Sequence, residues 1–139
     1  MDFQILLYYK YVTITDPVTF MKEQRNLCER LGLKGRIIVA HEGINGTVGG
    51  SIDATEMYIA EMKKDPRFID IHWKKSFGPE DTFPRLSIKV RPEIVTTKIT
   101  DVELKPRKET ATQLKPEELR TWYREGKSFK VIDMRNSYE

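Results

Sequence analysis

The sequence predicts an α+β fold of the ferredoxin-like class, a split βαβ arrangement extended by one strand. Apolar stretches with strand character alternate with two amphipathic stretches of helical period, in the order β-α-β-β-α-β-β. Residues 1–100 hold this whole pattern, and the composition becomes polar and threonine-rich after Val95. We therefore expect a ferredoxin-like domain over residues 1–100, a linker over 101–114, and the start of another domain over 115–139.

The first strand is predicted at residues 3–12, FQILLYYKYV, which are rich in aromatic and branched side chains. Because apolar residues occupy both faces of this stretch, we expect a central strand. The first helix is predicted to begin with Asp16 as N-cap and Pro17 as its first residue, and to end at Gly32. Its core face is expected to carry Val18, Met21, Cys28 and Leu31.

The segment GRIIVAHEGINGTVGG, residues 35–50, is predicted to hold the next two strands. The second strand covers residues 36–41, and the third is short, around residues 47–48. Asn45-Gly46 is a strong tight-turn signal, because both residues tolerate positive φ. The sequence therefore predicts a turn at these two residues.

The second helix is predicted to begin after a cap at Ser51 or Asp53 and to end near Lys64, before Asp65-Pro66. Met57 and Ala60 are expected on its core side. Two further strands are predicted at residues 68–75 and 85–95, since both stretches alternate polar with apolar residues.

A basic segment coincides with these last two strands. Residues 71–100 carry six Lys or Arg against three Asp or Glu, whereas residues 1–70 are close to neutral. Aromatic residues interleave with the cations, a pattern that can follow RNA phosphates while a ring stacks on a base. The alternative is a solvated strand edge kept charged against aggregation, with the aromatics packed on the helices. The candidate cations are Lys74, Lys75, Arg85, Lys89 and Arg91.

HEGINGT, residues 41–47, is the second candidate site. Its glycines and asparagine could present backbone N–H groups to a phosphate, with His41 and Arg36 nearby. The spacing matches neither a P-loop nor a dinucleotide fingerprint, so a plain β-turn is the favoured interpretation. The two histidines, His41 and His72, fall on different predicted strands, and we expect no metal site.

The single cysteine, Cys28, allows no internal disulfide and is expected to be an unreactive thiol in the core. A chain without disulfides suits a reducing compartment, so we expect a cytoplasmic protein. No apolar run approaches the length of a membrane span, and we expect no membrane partner.

The final segment is predicted to contain a helix and a strand. Residues 114–127 carry Leu119, Trp122 and Tyr123 on one helical face, and residues 128–136 resemble a buried strand that enters a polar loop. About 25 residues cannot supply a core for two large aromatics. We therefore expect residues from about 128 onward to be poorly ordered.

Four motifs together resemble the bacterial rhodanese-domain tRNA uridine hydroxylase family. They are HEGINGT, HWKKS, FPRLSIKVRPEIVT and VIDMRNSYE, and the similarity runs along essentially the whole chain in the family's order. The resemblance implies an acylphosphatase-like N-terminal domain followed by a rhodanese domain that carries the catalytic cysteine. It also implies hydroxylation of the wobble uridine of tRNA to 5-hydroxyuridine, with molecular oxygen as co-substrate.

The same resemblance places this chain at the N-terminal end of such a protein. Asp133 and Arg135 match the Asp-x-Arg of the family's early rhodanese strand, and Cys28 does not correspond to the catalytic cysteine. The resemblance therefore implies no catalytic residue and no cofactor within this chain, and we expect the chain alone to be inactive and monomeric. Residues 13–20, TITDPVTF, lack the glycine and arginine of an acylphosphatase phosphate loop, so that activity is not implied.

Three hypotheses follow for the domain. In the first, it engages tRNA through the five cations above, with Arg36 and His41 as further candidates. In the second, it is a structural module that packs on the protein's own rhodanese domain, with Gly43, Asn45 and Gly46 near the active site. In the third, the intact protein transfers sulfur, as rhodanese domains commonly do.

Overall fold

The computed structural model describes residues 3–95 and 111–133, which fall into two compact units, Met1–Lys108 and Glu109–Glu139. The first unit contains five strands and two helices. The strands are β1 (Phe3–Tyr11), β2 (Lys34–Ala40), β3 (Gly43–Ser51), β4 (Lys74–Phe77) and β5 (Leu86–Val90). The helices are α1 (Pro17–Leu31) and α2 (Ile52–Lys63), and a single 3-10 turn covers Pro66–Phe68. The second unit contains α3 (Pro116–Arg124).

The five strands form one sheet in the order β4-β1-β3-β2-β5. All neighbouring pairs are antiparallel except β2 and β5, which run parallel. Strands β1 to β4 with the two helices are the split βαβ arrangement, and β5 is the additional strand beside β2. The predicted fold class is confirmed.

Both helices pack on one face of the sheet. Alternate residues of β1, such as Leu6 and Tyr8, point into a core that also contains Cys28 of α1 and Tyr58 of α2. On the opposite face, Leu7 and Tyr9 are 45% and 62% exposed. Within residues 3–95, no helix covers that second face, which we call the open face. β1 is central in order, as predicted, but it is buried on one side only.

Helix α1 has the predicted ends and a rotated core face. Asp16 accepts a hydrogen bond from the Thr19 backbone N–H, and Gly32 takes a left-handed φ of 68°. Val18 was expected in the core and is exposed instead. The stripe that faces the sheet contains Gln24, whose side chain is satisfied by buried hydrogen bonds and so occupies a position that an apolar pattern misses.

The hairpin between β2 and β3 turns at a different place from the one predicted. His41 and Glu42 form the turn, and Asn45 and Gly46 lie inside a nine-residue strand, paired with β1 and β2. Gly46 is there because a Cβ atom would lie 2.5 Å from the Tyr8 ring. The glycine permits close packing rather than a turn.

Helix α2 also turns a different face inward. Ser51 is the cap, accepting from the Ala54 N–H at 3.1 Å, but Met57 and Ala60 are exposed rather than buried. The buried residues include Thr55 and Tyr58, whose hydroxyl groups are hydrogen bonded inside the core. As in α1, polar side chains with hydrogen-bond partners inside the core occupy positions that the apolar pattern does not predict to be buried.

The last two strands are shorter than predicted. The stretch 68–75 was expected to be a strand, but Phe68 and Ile71 insert into the core from a turn, and the strand is Lys74–Phe77. The stretch 85–95 forms a strand only at Leu86–Val90, after which residues 91–95 leave the sheet.

In the second unit, the predicted helix is present over Pro116–Arg124, with Glu118 accepting from the Lys115 N–H at 2.7 Å. Trp122 and Tyr123 pack against Phe129. Residues 128–133 form no strand, and the rest of that predicted strand lies outside the described residues. Of the predicted linker over 101–114, residues 111–114 are described and form no helix or strand. None of the helices in the described parts is long and apolar enough to cross a membrane.

Candidate nucleic-acid interface

The open face is defined by the strand register. Because side chains alternate along a strand and directly paired residues point the same way, the partners of Leu7 and Tyr9 share their side of the sheet. Leu7 pairs with Lys74 of β4 and Thr47 of β3, and the row continues through Arg36 of β2 to Ser87 of β5. The next row contains Tyr9, Asn45, Ile38 and Lys89.

Three of the predicted cations therefore meet on one surface. Arg36, Lys74 and Lys89 come from different strands, and all three are exposed. Arg85 and Arg91 are exposed and lie immediately before and after β5, outside the strand pairing. The strand positions of this face in β1 to β5 carry no Asp or Glu. The open face therefore carries a local excess of positive charge.

Lys34 is a cation of this surface that the sequence analysis missed. It pairs with Gly49 of β3, one row from Arg36, and it is exposed. The available signal was the two-residue spacing between Lys34 and Arg36 at the start of β2. The pairing that places Lys34 and Arg36 on the same surface as Lys74 and Lys89 joins strands that are far apart in the chain.

Lys75 lies on the other face of the sheet. It pairs with the buried Leu6, and its Nζ atom lies 2.6 Å from Glu56 Oε1 of α2. Lys74 and Lys75 are adjacent in sequence, so the strand geometry must separate them. The structure does not bring Lys75 together with the other candidate cations.

The turn that contains His41 makes hydrogen bonds to neighbouring segments of the chain. His41 Nδ1 lies 3.0 Å from the Ile14 carbonyl oxygen, and the Ile14 N–H donates to the His41 carbonyl. Glu42 accepts from the Ile94 N–H at 2.8 Å, and the Asn45 amide donates to the Ile94 carbonyl at 3.2 Å. HEGINGT thus anchors residues 91–95 to the end of the open face.

This segment does not form a phosphate-binding loop, the alternative to the favoured β-turn. Residues 43–47 are paired with β1 on one side and β2 on the other. Gly43, with a φ of 151°, is required because a Cβ atom would lie 2.0 Å from the Lys10 carbonyl oxygen. These glycines allow neighbouring strands to approach closely, and they lie within the strand pairing of the sheet rather than in an open loop.

Two segments bound the open face. The first segment contains Gly78 and Phe83 and lies at the start of β1. A Cβ atom on Gly78 would touch Ile5, and the Phe83 ring lies near Gly49. At the other end, residues 91–95 are held over Asn45 by the hydrogen bonds to Ile94. The acids near the face occur at its two ends, at Glu80 and Asp81 and at Glu42 and Glu93. The part of the open face between these two segments, which we call the window, contains Leu7 and Tyr9.

A cleft of about 1040 Å³ lies beside the start of β1, lined by residues that include Phe3, Ser51, Phe77 and Glu80. Its lining contains no Lys, Arg or His, so the cleft does not extend the basic surface. Phe77 at its rim is 68% exposed.

The interior offers no reactive group. Cys28 is fully buried, and burial raises the pKa of its thiol to about 12. A neutral, inaccessible thiol is a poor nucleophile and a poor metal ligand. In the described parts of the chain, no three His, Cys, Asp or Glu side chains are placed to hold a metal ion.

The fold and this surface together define a class of protein. The sheet order, the parallel fifth strand and the two helices on one face are the acylphosphatase-like form of the ferredoxin-like fold, here with a basic sheet surface in place of a phosphate loop. The chain belongs to the UPF0176 acylphosphatase-like domain family, whose model matches residues 3–94.

Its curated relatives are named tRNA uridine(34) hydroxylase. The relative from Oceanobacillus iheyensis is 41% identical over 138 residues, covering 99% of this chain and 42% of its own length. The relative from Staphylococcus carnosus is 43% identical over 139 residues, covering 100% and 43%. The chain thus spans less than half of the relatives that it matches. The resemblance drawn from the sequence motifs is confirmed.

Solved structures support the fold alone. An acylphosphatase from Bacillus subtilis is similar with a TM-score of 0.50 and 17% identity, covering 63% of this chain and 98% of its own. A BLUF protein, BlrB in its dark state, is similar with a TM-score of 0.51 and 22% identity, covering 64% and 71%. Proteins of unrelated activity share this architecture, so it does not define a reaction.

Proposed function

We propose that this chain is the tRNA-engaging N-terminal domain of an oxygen-dependent tRNA wobble-uridine hydroxylase. The observation that carries the proposal is the open face, where cations from three strands share one surface whose strand positions hold no acid. The names of the curated relatives supply the substrate, a tRNA whose uridine 34 is modified. In this proposal, the domain binds tRNA phosphates and the longer protein performs the reaction in the cytoplasm.

The physical basis is phosphate neutralisation. Each Lys or Arg that contacts a phosphate releases condensed counterions, so affinity for RNA falls steeply with salt. Lys34 and Arg36 project from β2, Lys74 from β4 at one edge of the sheet and Lys89 from β5 at the other edge. Because neighbouring strands are about 5 Å apart, the charged surface extends across all five strands and can follow a phosphate backbone across them. The bounding segments that carry Glu80 and Glu93 would repel phosphates and limit the binding area.

A matched comparison of lysines tests this assignment. The triple variant Lys34→Ala/Lys74→Ala/Lys89→Ala removes three charges from the open face. The control Lys22→Ala/Lys63→Ala/Lys75→Ala removes the same charge from the helical side, where all three lysines are also exposed. Binding of unmodified bacterial tRNA is measured by fluorescence anisotropy at about 50 mM and 200 mM salt.

We expect the open-face triple to weaken binding strongly and to flatten the salt dependence by about two to three units of slope. The control triple is expected to bind tRNA with an affinity and a salt dependence close to those of the unaltered chain. Equal effects of the two triples would show that only net charge matters, and absence of tRNA binding at either salt would overturn the proposal.

The reaction is assigned to the longer protein because this chain lacks a suitable nucleophile. Its single cysteine is buried and protonated. Hydroxylation exchanges the C5–H bond of the uridine for a C5–OH bond, and in this proposal molecular oxygen is the co-substrate. One oxygen atom enters the base, and a two-electron reductant from outside this chain, together with two protons, converts the other oxygen atom to water. We expect cells that lack the longer protein to regain 5-hydroxyuridine with that protein but not with residues 1–139 alone.

Mass analysis of nucleosides from those cells separates this chemistry from sulfur transfer. A gain of oxygen in the wobble uridine supports hydroxylation, whereas a gain of sulfur supports the sulfur-transfer hypothesis. The structural-module hypothesis predicts full modification by a longer protein that carries the open-face triple. Loss of modification in that variant, with the control triple active, supports tRNA engagement.

A further inference from the structure

We propose that Tyr9 is a stacking platform for an unpaired base, so that the open face holds a single-stranded segment of RNA rather than a duplex. This inference deepens the proposed function, on which it rests, because it names the form of RNA that the same surface binds.

The first observation is the exposure of an aromatic ring on a central strand. Tyr9 is 62% exposed; it pairs with Asn45 of β3 on one side, and the pairing of β1 with β4 on the other side ends at Leu7. Its neighbour Tyr8 points into the core and is 2% exposed. Tyr11, on the same side as Tyr9, meets the Tyr9 ring edge-on with centroids 6.1 Å apart. The ring of Tyr9 is thus buttressed on one edge and accessible from the open face.

The second observation is the position of this ring among the cations. Lys74 lies on the neighbouring strand β4, in the row before Tyr9. In the other direction, Lys89 is three strands away in the row of Tyr9, and Arg36 is two strands away in the row before. At about 5 Å per strand, cations lie within about 5 to 15 Å on both sides of the ring. A nucleotide stacked on Tyr9 would have positive charge near the phosphates on either side.

The third observation is the composition of the window itself. Leu7 and Tyr9 are the exposed apolar side chains of β1, and between the bounding segments they are flanked by Thr47, Asn45 and Ile38, which are half-buried. Leu7 and Tyr9 thus form an adjoining exposed apolar pair on a surface that carries cations on other strands, and adjoining exposed apolar residues mark binding sites more often than scattered single ones do. This surface suits an RNA base, whose flat face is apolar and whose backbone is anionic.

These features favour single-stranded RNA over a duplex. In a duplex the base faces are stacked on one another, and an exposed ring on a protein surface finds nothing to stack on. Unpaired bases in loops can be splayed onto an aromatic side chain, and such stacking contributes to affinity for every base type. A tRNA offers unpaired bases in its loops, whereas its stems would contact the cations alone.

The test compares two RNAs and two tyrosines. The probes are a fluorescein-labelled oligouridylate of about eight nucleotides and a blunt RNA duplex of about 12 base pairs. The variants are Tyr9→Ser, Tyr9→Phe and the control Tyr123→Ser, because Tyr123 of α3 is 64% exposed and lies in the other unit. Dissociation constants are measured by anisotropy at about 50 mM salt, and circular dichroism confirms that each variant is folded.

We expect Tyr9→Ser to weaken binding of the single strand by about 5- to 150-fold, because one stacked base is lost. Tyr9→Phe keeps the ring and is expected to stay within about threefold of the unaltered chain. Binding of the duplex is expected to be unchanged in both variants, and Tyr123→Ser is expected to bind both probes normally.

The stacking inference is overturned if Tyr9→Ser binds the single strand normally, or weakens the single strand and the duplex alike. If that happens while the Lys34, Lys74 and Lys89 triple still binds tRNA much more weakly than the control triple, the proposed function survives without the stacking. If neither tRNA nor the oligouridylate binds the unaltered chain, both proposals fail together.

Discussion

The hydroxyl oxygens of Tyr8 and Tyr58 lie 2.5 Å apart inside the core, where they join β1 to α2. Tyr58 donates its proton to Gln24 Oε1 of α1 at 2.7 Å, so Tyr8 must be the donor to Tyr58. The Gln24 amide completes the chain by donating to Met62 Sδ at 3.1 Å. Through these groups both helices are hydrogen bonded to the same strand that presents Tyr9 on its other face.

This direction of donation predicts unequal effects of two similar variants. Tyr58→Phe leaves the Tyr8 hydroxyl proton and the Gln24 oxygen without partners, and we expect a loss of about 2 to 4 kcal/mol of unfolding free energy. Tyr8→Phe leaves only an acceptor lone pair on Tyr58 unused, and we expect about 0.5 to 1.5 kcal/mol. Urea unfolding monitored by circular dichroism checks the order, and Tyr123→Phe serves as control. A larger effect at Tyr8 would contradict the assigned direction.

Alkaline pH is expected to destabilise the domain. Burial raises the pKa of Tyr8 and of Tyr58 above the usual 10, and the pKa of Cys28 from 9.0 to about 12. The unfolded chain releases these protons first, so the unfolding free energy falls as pH rises above 9 for Cys28 and above 10 for the tyrosines. Each group adds a slope of about 1.4 kcal/mol per pH unit.

Unfolding midpoints measured in urea from pH 8 to 11 check this expectation. Cys28→Ala should remove the part of the decline that begins near pH 9, and Tyr8→Phe should reduce the slope above pH 10. Stability that does not change across this range would show that the three groups are not buried as neutral acids.

Gly46 is predicted to be intolerant of a methyl group. A Cβ atom would lie 2.5 Å from the Tyr8 ring, so Gly46→Ala should cost about 1 to 3 kcal/mol of stability. In a Tyr8→Ala background the space is vacant, and the same change should cost much less. A double-mutant cycle from urea unfolding measures the coupling. Additive effects would mean that the clash is absent.

Glu42 is predicted to protect the backbone of residues 91–95. Its carboxylate accepts from the Ile94 N–H at 2.8 Å, and a bond to a charged acceptor contributes about 1.5 to 3 kcal/mol. Glu42→Ala should therefore speed hydrogen exchange at the Ile94 amide by about 10- to 150-fold. Glu42→Gln keeps an acceptor oxygen, so its exchange rate at the Ile94 amide should lie between those of the unaltered chain and Glu42→Ala. The Ile37 amide in the sheet should be unaffected, and unchanged exchange at Ile94 would contradict the anchoring role.

Several elements of this protein are determined locally. Asp16, Pro17 and Gly32 define the ends of α1 through capping geometry that involves only nearby residues. The order of strands and helices follows from hydrophobic period, and the fold class follows from that order. The family motifs likewise required no knowledge of tertiary contacts. For these features the physical cause lies within a few residues of the effect, and the sequence contains it.

The functional surface was determined by tertiary structure. Apolar period cannot show that Gln24 and Thr55 find partners in the core, or that Gly46 faces a tyrosine ring rather than forming a turn. Nor can it show which side of β1 the helices cover, because apolar residues occupy both faces of residues 3–12. Lys34, Lys74 and Lys89 are distant in sequence and share a surface only through strand pairing. Pairing between remote strands depends on how the whole chain buries its apolar area, and no local pattern contains that information.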